Sequence, residues 1–175
     1  EGLVDQLSDN DVRDLIAYLA TKGQVPMLAT KDNLDLFFNG KNLDGWSGPK
    51  GNWKVENGEL IGTSPGLKKN EWLIAPLAVN NFRLIVEVKL LPNAGNSGIQ
   101  FRSSAEPNGE VKGYQADVGV GWWGKLYEEH GRALLWKDSG EKAVKTDDWN
   151  TYEIVAVGSY IKTAINGQPC VDMED

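Results

Sequence analysis

The chain has 175 residues, 41% hydrophobic and 25% charged, and a formal net charge of −7 from 18 basic and 25 acidic side chains. That allows one domain of ordinary size plus a short appendage, with the composition of a water-soluble globular protein. No apolar run approaches the roughly 18 residues that span a bilayer, and the acidic balance, without a basic cluster beyond Lys68-Lys69, argues against nucleic acid as a partner.

The first 22 or so residues carry a helical pattern. Ser8 reads as an N-cap with Asp11 three positions on, Val12, Leu15, Ile16 and Leu19 fall on one stripe, and Gly23 with Pro26 supplies the stop. This predicts one amphipathic helix, whose stripe needs a surface to dock on. Everything after it reads as strands. Asn-Gly pairs at 57–58 and 166–167 join NWKVE to ELIGT and YIKTAI to QPCVDM as hairpins. Further strands are predicted over 71–75, 82–90, 97–103, 114–118, 133–136 and 151–157, with turn signals about every ten residues. No helical segment intervenes, so the expected class is an all-β antiparallel sandwich with one N-terminal helix.

Alternation assigns faces. In 82–90 the row Phe82, Leu84, Val86, Val88 and Leu90 opposes Glu87 and Lys89; in 97–103 Ile99 and Phe101 oppose Gln100 and Arg102; in 114–118 Tyr114, Ala116 and Val118 oppose Gln115 and Asp117. If these three strands pair as a meander, the polar rows form one surface, either a solvated face or a site rich in donors, acceptors and carboxylate. The following stretch, VGVGWWGKLYEEHGR, reads as a loop whose Trp122, Trp123 and Tyr127 could wall a cleft, with Glu128, Glu129, His130 and Arg132 close behind. Seven tryptophans and 20 glycines make stacking on sugar rings a natural reading, beside the plainer one that most of the tryptophans fill the core.

Cys170 and His130 are the only residues of their types. This excludes an internal disulfide, a CxxC pair and a thiolate zinc cage within the chain, and no cofactor is expected. A metal would need oxygen ligands, which suits calcium or magnesium; Thr146-Asp147-Asp148 could hold calcium, although such a cluster more often makes a turn.

The ordered series LFFNGKNLDGWSG, GNWKVENGELIGT, EWLIAP, FRLIVEVKL, NSGIQFRS, KGYQADVG, WWGKLYEE and DDWNTYEIVAVGSYIKTAINGQ resembles the 3-keto-disaccharide hydrolase-like domain family over about residues 34–175. The resemblance implies a concanavalin A-like jelly roll, a hydrolase or lyase acting on glycosides oxidised at sugar carbon 3, and a bacterial, periplasmic or extracellular setting. Residues 8–27 resemble the last helix of the c-type cytochrome domains sometimes found upstream of this family, without any haem-binding motif in this chain. The division expected is therefore 1–27 as the residual cytochrome helix and linker, and 28–175 as the sandwich, shortened at its C-terminal end.

A ketone at carbon 3 acidifies the hydrogen on carbon 2, so the group on carbon 1 can leave by β-elimination and water can then add back. Such chemistry needs a base, donors to an enolate oxygen and an acid. Asp117 or His130 is the expected base, with Glu128 as acid or as the group orienting His130. Arg102 with Gln100 or Gln115 is expected to donate to the enolate and hydroxyl oxygens, and Glu87, Lys89, Trp122, Trp123, Tyr127 and Arg132 to contact the sugar as well. The alternatives are a lectin-like carbohydrate-binding module on the same fold and an ordinary two-carboxylate glycosidase.

Overall fold

The computed structural model describes Ser8, Val12, residues 33–49 and residues 51–175. Val12 N–H donates to the Ser8 carbonyl at 2.9 Å, a helical i to i−4 bond; the rest of the expected N-terminal helix lies outside the described residues. Among the described residues no helix is long and apolar enough to cross a membrane.

The chain divides into two units. The larger holds residues 79–103 and 113–175 together with 1–25, and the smaller holds 26–78 and 104–112. In the smaller, β1 (Trp53–Glu56) and β2 (Glu59–Gly62) form an antiparallel hairpin. Its turn places Asn57 at φ 53° and Gly58 at φ 81°, the left-handed pair that Asn-Gly adopts most readily. The Trp53 ring lies against Gly62, where a Cβ would stand 2.6 Å from it. The strand expected over 71–75 is reduced to one bridge, Ser47 to Ile74.

The larger unit contains two four-stranded sheets. One has the order β10 (Gln168–Glu174), β9 (Tyr160–Ile165), β8 (Asn150–Val157), β3 (Phe82–Val88). The other has the order β4 (Asn96–Ala105), β5 (Val111–Gly119), β6 (Leu126–Glu129), β7 (Ala133–Trp136). Alternation drives their packing: Tyr152, Ile154, Ala156, Ile161, Ile165 and Val171 from the first meet Phe101, Ala116, Val118 and Leu126 from the second in one core. This is the expected antiparallel β-sandwich.

Two further expectations are corrected. The stretch around Leu126–Glu129, read as loop, forms β6 and pairs with β5 and β7. The expected meander does not exist either, because β3 pairs with β8 from Phe82↔Ala156 to Val88↔Asn150 while β4 joins the opposite sheet. Alternation tells which way a side chain points but not which strand lies beside it. Glu87 and Lys89 therefore belong to the outer side of the other layer. Glu87 accepts a hydrogen bond from Thr151 at 2.6 Å, and the Lys89 ammonium sits 4.6 Å from the Trp149 ring centroid.

Candidate functional site

The outer face of the β4–β7 sheet collects the polar residues that remain. Ala116 and Val118 turn into the core, so Gln115 and Asp117 point outward. Gln115 stands opposite Tyr127 in the β5–β6 register, and Gly113 opposite Glu129. Asp117 N–H donates to the Lys125 carbonyl at 3.1 Å, which sets Lys125 beside it. Tyr127 and Glu129 thus share a face with Gln115 and Asp117. Glu128 projects to the other side of the sheet.

Asp117 is the unusual member. It is only 2% exposed, its Oδ1 accepts a hydrogen bond from Gln115 Nε2 at 2.8 Å, and its Oδ2 has no partner. Burial raises its pKa to about 6; the Gln115 hydrogen bond opposes the rise, the charge of Glu129 adds to it, and Lys125 opposes it. A carboxylate in this state exchanges a proton near neutral pH, as a general base should.

Gln100 lies on the neighbouring strand, with its Nε2 donating to Ser103 Oγ at 3.0 Å and its Oε1 buried without a partner. Arg102 leaves this row. Its φ of 47° breaks the alternation of β4. Its guanidinium donates to the carbonyls of Asn80 and Gly158, both at 2.7 Å, and to Asn81 Oδ1 at 3.1 Å. It pins two turns together, and it was misplaced in the expected row because a bulge is invisible to simple counting.

The turn from β5 to β6 sorts the two adjacent tryptophans. The N–H groups of Trp122 and Trp123 both donate to the Gly119 carbonyl, and Gly121 and Gly124 both adopt a φ of 78°. Trp123 goes inward, 1% exposed, with its indole N–H on Asn93 Oδ1 at 3.0 Å; as core, it walls no cleft. Trp122 stays 38% exposed, edge to face with Tyr127 at 6.3 Å and with the Lys125 ammonium 5.0 Å from its ring. The pair forms an aromatic ledge at the end of the polar face.

A family model described as the 3-keto-alpha-glucoside-1,2-lyase-like domain matches residues 34–175. The chain belongs to that family. The crystal structure of a candidate glycosyl hydrolase from Parabacteroides distasonis is similar at a TM-score of 0.59, with 20% identity over 84% of this chain and 77% of that one. At that identity the likeness speaks for the sandwich fold alone. Comparison with curated proteins finds no match.

The remaining expected residues of this lyase-like domain lie apart from Asp117. Glu128 accepts from Arg132 Nε at 2.5 Å, Arg132 also binds both oxygens of Asp175, and the Tyr114 hydroxyl donates to Asp175 at 2.5 Å. The Arg132 hydrogen bonds hold Glu128 below the usual carboxylate range and bring Asp175 to about 2. Glu128 is thus an anion paired with Arg132 on the opposite side of β6 from Asp117. His130 occupies the exposed β6–β7 turn at φ 52°. It is five residues from Lys125, roughly 16 Å of strand at about 3.3 Å per residue. The Oδ1 atoms of Asp147 and Asp148 are both engaged, accepting from the N–H of Asn93 in a distant loop and from the N–H of the adjacent Trp149. Among the described residues, no three acidic, His or Cys side chains cluster to hold a metal.

Sequence reasoning missed Lys125, Gly98 and Ser103 as residues of this face, and placed Glu129 in a loop beside it. The alternation in Leu126–Glu129 was the available signal: once that segment is a strand beside β5, Tyr127 and Glu129 must share its outer side.

Proposed function

We propose that this domain cleaves 3-keto-glycosides by β-elimination, with Asp117 as the base that removes the hydrogen from carbon 2. The observation that carries this reading is the buried, unpartnered Oδ2 of Asp117, on a sheet face flanked by amides and an aromatic ledge. Removing water around a carboxylate raises its basicity, and the hydrogen on carbon 2, acidified by the ketone, is the proton such a base would take. As the proton moves to Asp117, the carbon 1–carbon 2 double bond forms and the carbon 1–oxygen bond breaks. The departing oxygen takes up the proton that Asp117 has received, and addition of water across the carbon 1–carbon 2 double bond of the unsaturated ketone returns a 3-keto sugar. Lys125 and Tyr127 are the donors we assign to the enolate and hydroxyl oxygens. Trp122 and Tyr127 give the sugar ring an apolar surface to rest on.

Deuterium at carbon 2 of the substrate tests the reaction type. The expected result is a clear slowing of turnover, because that C–H bond breaks in the elimination. Equal rates for the two isotopologues, with cleavage of the unoxidised glycoside as well, would instead indicate a conventional glycosidase with an oxocarbenium-like transition state.

A further inference from the structure

We propose that Gln115 is a positioning residue, which fixes Oδ1 of Asp117 and leaves Oδ2 as the proton acceptor, and that position 98 is glycine to make room for it. The inference rests on the elimination reading, since it gives Asp117 its task. Its evidence is steric. A Cβ on Gly98 would stand 2.5 Å from Gln115 Cγ, 2.6 Å from Cδ and 3.1 Å from Nε2. These distances leave no room for alanine unless Gln115 moves. The backbone at Gly98 does not take the left-handed conformation, so φ gives no reason for glycine there. A glycine inside a strand weakens it relative to alanine and marks a close approach.

The other parts of the arrangement are held independently. Asp117 N–H is bound to the Lys125 carbonyl, and its own carbonyl accepts from Gly124 N–H at 3.3 Å and from the Tyr152 hydroxyl at 3.4 Å. Gln100 Nε2 is committed to Ser103, so Gln115 is the amide that braces the carboxyl. The charged groups acting on Asp117 from β6 and the turn before it are Glu129 and Lys125, with the Tyr152 phenol reaching it from β8.

The test uses the full chain and two readouts: the acid limb of kcat/KM on a 3-keto-disaccharide, and a carboxyl carbon-13 titration of Asp117 without substrate. Gln115→Ala is expected to move both upward by about one pH unit, the loss of one hydrogen bond to the ionised form, with KM within about twofold. Gly98→Ala should move them the same way by displacing the amide. The double variant should add nothing further and should recover any stability lost in Gly98→Ala, since truncating the glutamine vacates the space. Unmoved titrations in Gln115→Ala, or a raised KM with an unmoved acid limb, would overturn the positioning role. A double variant as damaged as Gly98→Ala alone would overturn the steric argument. If no 3-keto-glycoside is turned over, the elimination reading fails, while the carboxyl titration still decides what Gln115 does.

Discussion

Asp117→Asn is expected to abolish turnover of a 3-keto-glycoside and, at pH 7 to 8, to make the fold more stable. The two effects share one cause. The folded chain holds the Asp117 proton up to about pH 6, against an ordinary value of 3.8. Because the folded state binds the proton more tightly than the unfolded one, stability is highest below the ordinary value and declines as the pH rises toward about 6. A gap of about two pH units corresponds to something on the order of 3 kcal/mol once the carboxyl is ionised in its buried setting. Asparagine keeps an acceptor for Gln115 and removes the charge, but it leaves an amide donor unpartnered, which returns part of the gain. The net expectation is a rise in Tm of about 3–6 °C at pH 8 and little change or a small loss at pH 4. Thermal melts of both proteins across that range check it. A variant that is less stable at pH 8 and keeps the parent's pH profile would show that the buried carboxyl does not have the ascribed cost.

Trp123→Ala is expected to cost about 3–5 kcal/mol, whereas Trp122→Ala should change stability by less than about 0.5 kcal/mol and weaken sugar binding. The neighbours differ only in which way one turn directs them. Truncating Trp123, 1% exposed, opens a cavity in the core and strands the Asn93 carboxamide oxygen that its indole N–H satisfies. Removal of Trp122 opens a surface and takes away a partner of Tyr127 and Lys125, with little core to disturb. Denaturant unfolding of the two variants, beside titration with a disaccharide, separates the roles. Equal stability losses would contradict the placement of Trp122 on a ligand-facing ledge.

Where a local rule governs, the sequence was legible. Asn57-Gly58 and Asn166-Gly167 each marked a hairpin that is present, since few dipeptides adopt two left-handed residues as readily. Period-two patterning sent Phe101, Ala116 and Val118 to the core and put Gln115 beside Asp117 on the outside. What needed tertiary information was misread. The neighbours of β3 are fixed by a crossing between layers after Val88, and no pattern inside 82–90 encodes it. Glu128 and Glu129 are indistinguishable until the strand they occupy is paired, and the pairing decides which shares a face with Asp117. Arg102 was lost from the site by a single residue in the left-handed region, and Trp123 by a tight turn.

The central claim is that Asp117 acts as a base on a sugar carrying a ketone at carbon 3. Its most direct test is to incubate the purified chain with a 3-keto-disaccharide and with the unoxidised parent, following released sugar by chromatography beside the Asp117→Asn variant. The account predicts release from the keto form alone, lost on substitution. Binding of sugar by a folded sample with no release from either form, or release that survives Asp117→Asn, would contradict it; the first result would identify a carbohydrate-binding module and the second a base elsewhere on the fold.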